Sequence, residues 1–520
     1  MVPDVPSPWV WTVVASVFVA LYWHSQAQRH RRRLPPGPTP LPILGNVLDI
    51  PRHHLGLEFW RISQKYGDLV YLNALGKSML VVGSHRIARE LLEKRSVNYS
   101  DRPGSVMAEL TQFDRFFITQ RYGERWRLHR RVFHKSFNVG SVEQYRPIQL
   151  NSARRFLAAV FDFPRDIATR LKFAIASSLI LIAYGIDMKE RNDEYFEMVG
   201  RIAETGETIS VPGRFPVEAF PSLRYLPSWF PGGGFKVMAR DAGAHMEKTI
   251  SKLYSIAVEG IRSGSGCESF VSGLLDDAKK YDLEGAGERD LETFVGDLAL
   301  TVYAAGADTS NAAMQAFFLA MAMHPDAQRK AQEELDRVVG TDRLPDFSDM
   351  ASLPYIRALL KELLRWHVIT PISLPHAVMT DDMYDGYLIP AGSAVTVNVW
   401  GIARDPELYP DPDAFRPERF LDANSQLDLT RSDPSDYAFG FGRRICPGQH
   451  FAEASLFIYA ASILHVFSIL PPVDDKGVPI QLVHDTATMG VIAHPHFHDY
   501  VVKPRCARSV QLVQEACRDT

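Results

Sequence analysis

Amphipathic helical patterning dominates this 520-residue chain and limits the folds open to it. Apolar residues recur at three- and four-residue intervals, the spacing that places them on one face of an α-helix. The longest such stretch is 290–323, and others are 57–66, 86–94, 123–137, parts of 152–184, 238–263 and 325–339. Strand-like pieces are short, at 69–72, 79–82, 378–379, 387–389, 394–399 and 500–503. The sequence therefore predicts a mainly helical domain with a minor β-sheet.

An apolar run from Trp9 to Trp23 is followed by a basic cluster at 29–33. We predict that residues 1–33 form a single-pass transmembrane helix with a basic stop. The positive-inside rule places the rest of the chain on the cytoplasmic side of the endoplasmic reticulum. A cleaved signal peptide is the alternative, but it would carry positive charge before the apolar core, where this chain has Asp4. A glycan on Asn98 would contradict the predicted topology.

Prolines and glycines fill residues 34–46, which we interpret as a semi-rigid hinge. No second linker and no repeat follows, so residues 47–520 are predicted to form one domain. The formal net charge of -4 gives no electrostatic reason to expect nucleic acid as a partner. Four cysteines are too few for a disulfide framework. Cys267 is interpreted as a buried small apolar residue, and Cys506 and Cys517 as incidental in a polar C-terminal tail.

Cys446 has unusual neighbours, because glycines, two arginines and Pro447 surround it. Such a loop lets the backbone approach a large flat group and lets backbone N–H groups point at the sulfur. Arg443 and Arg444 supply positive charge that favours thiolate over thiol. The apolar helix predicted at 449–466 adds its N-terminal dipole to the same effect.

The loop resembles the haem-binding signature of the cytochrome P450 superfamily, Phe-x-x-Gly-x-Arg-x-Cys-x-Gly. Its fixed positions are Phe439, Gly442, Arg444, Cys446 and Gly448. The resemblance covers essentially the whole chain. It implies the mainly α cytochrome P450 fold with a minor β part, haem b as cofactor and Cys446 as the axial ligand of the iron. A thiolate in this position favours O–O bond cleavage.

The segment 305–310 resembles the oxygen-activation motif of the same family. Gly306 weakens a helix interior by about 1 kcal/mol relative to alanine. The family reason for it is a local opening of the helix over the iron. Asp308 and Thr309 then correspond to the catalytic acid–alcohol pair that relays protons. Without the cysteine motif, an exposed Asp-Thr pair on an amphipathic helix would be the simpler interpretation.

Two further sets of residues follow from the resemblance. The first is a buried structural network of Glu362, Arg365 and Arg419, the last of these in the segment 417–420. The second set binds the haem propionates and consists of Trp126, Arg130, His376 and Arg444. We expect substrate contacts near 105–119, 211–235, Tyr303, 370–374 and 489–491, with 211–235 predicted to dip into membrane lipid.

The helix at 123–137 is strongly basic, together with Arg121 two positions before it. This indicates either a solvated face or a docking surface for an acidic reductase. The basic residues are Arg121, Arg125, Arg127, Arg131, His134 and Lys135. The resemblance implies that NADPH–cytochrome P450 reductase supplies electrons indirectly from NADPH, with cytochrome b5 as an alternative donor.

The leading hypothesis is a monooxygenase that inserts one atom of O2 into an apolar small organic molecule. The chain resembles fungal enzymes of secondary metabolism, including tryptamine hydroxylases and polyketide oxidases. Three alternatives remain open. They are a broad-specificity xenobiotic oxidase, a reductase-independent isomerase or dehydratase acting on a peroxide, and a haem-binding sensor without turnover.

Overall fold

The fold was analysed in a computed structural model, which describes residues 33–188, 194–277, 288–485 and 490–518. The apolar run of the predicted membrane anchor lies outside the described residues, and so does Met489 of the predicted substrate loop.

Helices make up most of the described chain. The α-helices are α1 Leu55–Tyr66, α2 His85–Arg89, α3 Ser96–Tyr99, α4 Val106–Leu110, α5 Glu124–Phe137, α6 Arg146–Asp162, α7 Ile167–Tyr184, α8 Glu194–Ser210, α9 Pro216–Ala219, α10 Phe235–Ser263, α11 Phe270–Asp276, α12 Glu288–Met323, α13 Pro325–Val338, α14 Pro354–Trp366, α15 Val399–Ile402, α16 Ser435–Ala438, α17 Gln449–Val466 and α18 Ala507–Arg518. A π-helix at Glu90–Lys94 continues α2. Short 3-10 turns lie at Phe113–Arg115, Ser141–Tyr145, Pro221–Tyr225, Phe347–Ser352, Pro417–Phe420 and Gly442–Arg444.

The strands are short and form small sheets. They are β1 Leu69–Ala74, β2 Lys77–Val82, β3 His376–Ala377, β4 Asp382–Tyr384, β5 Tyr387–Ile389, β6 Ala394–Val397, β7 Phe467–Leu470 and β8 Val501–Pro504. The larger sheet has the order β1-β2-β6-β3, with β2 and β6 parallel and the other pairs antiparallel. Two-stranded sheets join β4 to β5 and β7 to β8. The predicted mainly helical fold with a minor β part is confirmed.

The main apolar core surrounds α12, whose residues are largely buried on both sides of a short central segment. Helix α7 packs along α12 and α6, and α17 packs against α6 and α14. Within the described residues, α7 is the one helix long and apolar enough to cross a membrane. Most of it is buried, because it is a core helix in this packing.

Two predictions about the fold were wrong in detail. The strand predicted at 378–379 lies instead at His376–Ala377, because Val378 and Met379 donate their N–H groups to Ser393 and Asn98 outside that ladder. Cys267, interpreted as buried, is exposed. The stretch 152–184 is helical in parts, as predicted, because a segment containing Pro164 separates α6 from α7. The polar C-terminal tail folds as α18, which buries Leu512.

Candidate active site

The loop before Cys446 is held in a tight turn against the π-helix. Cys446 donates its N–H to the Phe439 carbonyl at 2.7 Å. Gly442 has a φ of 56°, and a Cβ there would lie 2.1 Å from the Leu92 carbonyl oxygen. Only glycine accommodates both the left-handed backbone and this close approach. Gly442 therefore seats the cysteine loop on the π-helix.

The Cys446 thiol is accessible to solvent-sized molecules although protein surrounds it. Its side chain is exposed, and yet burial raises the pKa of the thiol. The two observations agree if the sulfur lines an interior cavity. The Gly448 N–H and the positive charge of Arg130 act in the opposite direction and lower the pKa.

The expectation that Arg443 and Arg444 favour the thiolate was wrong. The guanidinium of Arg444 donates to the carbonyls of Ser100, Phe117 and Gln120. Arg443 is exposed and donates to a tyrosine hydroxyl. The cation that acts on the sulfur is Arg130, which comes from α5. Arg443 and Arg444 are close to Cys446 in sequence, but their guanidinium groups bind other partners.

The middle of α12 is accessible inside an otherwise buried helix. Residues 304–310 are all partly accessible, whereas Tyr303 before them and Asn311 after them are buried. Ser310 also lines a small interior cavity together with Phe451 of α17, five positions beyond Cys446. The accessible segment of α12 and the start of α17 thus border the same interior region.

The prediction that α12 opens locally at Gly306 was wrong, because the helix is continuous through this residue. Thr309 donates its hydroxyl to the Ala305 carbonyl at 2.8 Å, a bond within the helix that satisfies the carbonyl without breaking the turn. A Cβ on Gly306 would lie 3.2 Å from the Leu179 side chain of α7. The glycine therefore allows close packing of α7 on α12.

Asp308 has a partner that the sequence motifs did not indicate. Its carboxylate lies 3.2 Å from Nε2 of His494, a residue in the chain between β7 and β8. Burial lowers the pKa of His494, but the hydrogen bond and charge of Asp308 outweigh this and leave it above the ordinary histidine value. No sequence signal relates these residues, because 186 positions separate them.

Unpaired polar groups around the cysteine fit the two carboxylates of a haem. The indole N–H of Trp126 is buried and has no hydrogen-bond partner among the described residues. Arg130 is half-buried, and none of the ion pairs found in the described ranges includes it. Burial lowers the pKa of Arg130, while the Cys446 charge raises it. An uncompensated cation beside a free N–H donor is the arrangement that an anionic group stabilises.

His376 and Arg444, predicted in the same set, are buried nearby. Nδ1 of His376 donates to the Tyr99 carbonyl at 2.7 Å, and burial together with the charge of Arg102 lowers its pKa to about 3. The Arg444 guanidinium lies over the Trp126 ring at 4.2 Å. Burial, and after it Arg102, lowers the pKa of Arg444 to about 9.

Arg102 is a buried cation that sequence reasoning missed. Its guanidinium donates to the carbonyls of Ile118, Leu374 and Pro375. It therefore ties the segment before α4 to the segment before β3. Burial lowers the pKa of Arg102 to about 10. The only sequence signal is a lone arginine before Pro103, which is too weak to predict a buried site.

The structure brings together the three members of the predicted structural network. Glu362 accepts from Arg365 at 2.7 and 2.8 Å and from Arg419 at 3.1 Å. It also accepts the backbone N–H of Arg416 at 2.7 Å. Glu362 and Arg365 are fully buried. The network fixes the segment 410–419, because both arginines donate to its carbonyls.

The basic helix is less positive than its sequence indicates. Arg121 pairs with Asp101 at 2.6 Å, and Lys135 pairs with Asp277. Arg125 reaches the buried Asp297 of α12 at 3.0 Å. Arg127, Arg131 and His134 remain exposed to solvent. The two interpretations, a solvated face and a docking surface, therefore apply only to the exposed residues Arg127, Arg131 and His134 of this helix.

Two of the predicted substrate segments close over each other. The Glu218 carboxylate of α9 accepts from the Ser105 hydroxyl at 2.8 Å and from the Met107 N–H at 2.7 Å. Arg224 pairs with Glu109 at 2.9 Å. Val106, Met107 and Val217 form one small apolar cluster beneath these contacts. Tyr303, in contrast, is fully buried in α12.

An accessible cysteine in a glycine-shaped loop, a partly accessible segment of α12, and an unpaired cation and N–H donor near the cysteine are features of the haem-thiolate class of oxygenases. The chain matches the family described as Cytochrome P450 over residues 35–490. It therefore belongs to the cytochrome P450 family and is a monooxygenase of that family, as its relatives show. The family implies a haem iron with a thiolate ligand.

The similar curated proteins come from fungi. Cytochrome P450 monooxygenase COX1 of Coprinopsis cinerea is 40% identical over 486 residues, which is 92% of this chain and 93% of the relative. Cytochrome P450 monooxygenase 105 of Postia placenta is 38% identical over 99% of this chain and 98% of its own. Cytochrome P450 monooxygenase claR of Ampulloclitocybe clavipes is 38% identical over 97% of this chain and 92% of its own.

Proposed function

We propose that the chain inserts one oxygen atom from O2 into an apolar small organic molecule at a haem held by Cys446. The observation that carries this proposal is the Cys446 thiol, which is accessible although burial raises its pKa, in a loop shaped by Gly442. A thiolate-ligated haem supplies the chemistry that activates dioxygen. Metal coordination deprotonates the thiol, which burial in the protein alone does not do.

The remaining residues orient the cofactor and handle protons. Trp126 and Arg130 would bind the propionates through the free indole N–H and the uncompensated guanidinium, and His376 and Arg444 would complete that set. Phe439, Gly442 and Gly448 shape the loop, and the Phe439 carbonyl fixes the Cys446 backbone. Asp308 and Thr309 hold and pass protons on the α12 side. Glu362, Arg365 and Arg419 keep the segment before the loop rigid.

We infer that NADPH–cytochrome P450 reductase delivers the electrons, with cytochrome b5 as a second donor. The exposed cations Arg127 and Arg131 on α5, with the exposed His134 on the same helix, support a docking surface for an acidic partner. The proposed location is the endoplasmic reticulum membrane, with the catalytic domain in the cytoplasm. The domain division proposed is an anchor at 1–33, a hinge at 34–46 and a catalytic domain at 47–520.

Exposed apolar side chains support contact with lipid close to the hinge and to α9. Ile43 is 93% exposed, Tyr225 83% and Trp229 81%. A group of large exposed apolar residues marks an interaction surface. Because the segment 211–235 also closes over α4, an apolar substrate dissolved in the membrane would reach the site through it. We further propose a role in secondary metabolism rather than broad xenobiotic oxidation, on the resemblance that the sequence shows.

The test is expression of the full chain with a fungal reductase in microsomes. The carbon monoxide difference spectrum should show the Soret shift of a thiolate-ligated haem, and Cys446→His should abolish that shift. A panel of terpenoids, aromatics and indoles should then yield a hydroxylated product that requires NADPH and reductase. Turnover of an organic hydroperoxide without NADPH would instead establish the isomerase or dehydratase alternative. A spectrum without the thiolate shift would refute the proposal.

A further inference from the structure

His494 contacts the Asp308 carboxylate and is itself partly accessible. Its Nε2 is 3.2 Å from Oδ2 of Asp308, and both side chains are partly accessible, at 32% and 27%. The carboxylate can hold a proton only if one reaches it from solvent in each turnover. A histidine in contact with it is the side chain best suited to pass that proton near neutral pH.

The backbone on the N-terminal side of His494 is fixed from two directions. Ala493 donates its N–H to the Ile369 carbonyl at 2.8 Å and accepts from Nε2 of His367 at 3.0 Å. Because that carbonyl can only accept, Nε2 of His367 carries the proton and its Nδ1 accepts from His484 at 3.1 Å. The chain around His494 is thus positioned by α14 and the residues after it.

The other charged and titratable groups around His494 come from three elements besides α12. Glu207 of α8 raises the pKa of His494, and Lys172 of α7 lowers it. His367, at the end of α14, also interacts with His494, and burial lowers the pKa of His367 to about 4, so it is neutral at physiological pH. Asp308 is the group in direct contact, so its charge decides the protonation of His494.

We propose that His494 is a positioning residue that hands a proton to Asp308 during oxygen activation. In the step, the Nε2–H bond of the imidazolium breaks, the Oδ2–H bond forms, and the imidazole becomes neutral. Solvent then reprotonates the imidazole, and Asp308 passes its proton toward Thr309 and the reacting oxygen. No oxidant or reductant is needed. The inference rests on the proposed function, because it assigns the source of the protons that this reaction consumes.

Two substitutions separate proton transfer from simple attachment of the loop. His494→Gln keeps a hydrogen-bond donor but has no charge. His494→Arg keeps the positive charge beside Asp308 but does not release its proton at any physiological pH. His496→Gln is the matched control, because His496 lies two positions away, is exposed, and has no hydrogen bond to Asp308 among the described contacts.

In the reductase-supported reaction, His494→Gln and His494→Arg should each lower product formed per NADPH by about tenfold and release the balance as hydrogen peroxide. This is less than the ~10²–10⁴-fold effect of a direct acid–base group, because His494 acts through Asp308. Product per NADPH in the unsubstituted enzyme should fall as pH rises through the His494 pKa, because the imidazolium is then lost. Both variants should be poorly coupled at all pH values. If His494→Arg restores full coupling, the residue only holds the loop and the proposal is wrong.

A second readout is independent of turnover. Diethyl pyrocarbonate modifies neutral imidazole, so the pH midpoint of modification, followed by mass spectrometry, reports each histidine pKa. The midpoint of His494 should fall in Asp308→Asn, because the carboxylate favours the charged form. An unchanged midpoint in Asp308→Asn would refute the contact. A variant with a normal thiolate Soret shift and altered coupling separates this result from failure of the proposed function, which would remove the shift itself.

Discussion

Removal of Glu362 should cost far more stability than removal of an exposed glutamate in a similar helical pair. The carboxylate of Glu362 accepts four hydrogen bonds, from two nitrogens of Arg365, from Nε of Arg419 and from the Arg416 N–H. Arg365 uses all five of its N–H groups, with the other three on backbone carbonyls. In Glu362→Ala these guanidinium groups stay buried without a carboxylate.

Breaking a buried pair on one side costs about 3–5 kcal/mol, against a total stability of about 5–15 kcal/mol. The expected product is therefore apoprotein or aggregated chain rather than a slow enzyme. The control is Glu333→Ala, which removes an exposed i, i+4 partner of Arg329 at 2.6 Å on α13. Such an exposed pair contributes little to stability, because solvent screens it, so this variant should be nearly unchanged.

The assay is haem bound per chain, from the carbon monoxide difference spectrum and total protein, together with the thermal midpoint in detergent. Glu333→Ala should match the unsubstituted chain in both. The reasoning would be refuted if Glu362→Ala kept the same haem content and the same thermal midpoint as Glu333→Ala. That result would mean that the buried arginines relax to other partners at little cost.

Three further variants test other parts of the site. Arg130→Gln should lower haem content at unchanged expression, because the propionate loses a charge-assisted bond of about 1.5–3 kcal/mol; equal haem retention would contradict this. Glu218→Ala should speed substrate exchange by about tenfold in stopped-flow binding spectra, since two hydrogen bonds between the closing segments are lost. Arg131→Glu should slow reductase-supported turnover at low ionic strength, and the difference should shrink as salt rises.

Helix periodicity predicted most of the long elements because tertiary packing preserves an apolar face along each helix. Pro325 indicated the start of α13, and the strand pattern at 79–82 predicted β2 to within a few residues. The short strands were less predictable. A two-residue strand such as His376–Ala377 is defined by its partner β6, so local sequence cannot fix its register.

The residues of the site also divide into those that the sequence predicts and those that it does not. The residues of the cysteine motif and of the Glu362 network could be listed from sequence, since each motif is local. The cation that acts on Cys446 could not be predicted in this way. The charge of Arg130 acts on the thiol from α5, whereas the neighbouring Arg444 donates its hydrogen bonds to backbone carbonyls. The His494 contact with Asp308 depends on how the chain between β7 and β8 is pinned at Ala493.

The positions of the cations indicate that folding and cofactor binding are linked. Burial lowers the pKa of Arg130 and Arg444, which means that keeping both charged in the interior costs free energy. Arg444 recovers part of this cost from backbone carbonyls, whereas the described residues give Arg130 no carboxylate. A dianionic cofactor beside them would offset the remainder. Because a ligand that binds only the folded state raises its stability, variants that weaken the propionate site should lose thermal stability in proportion to lost haem.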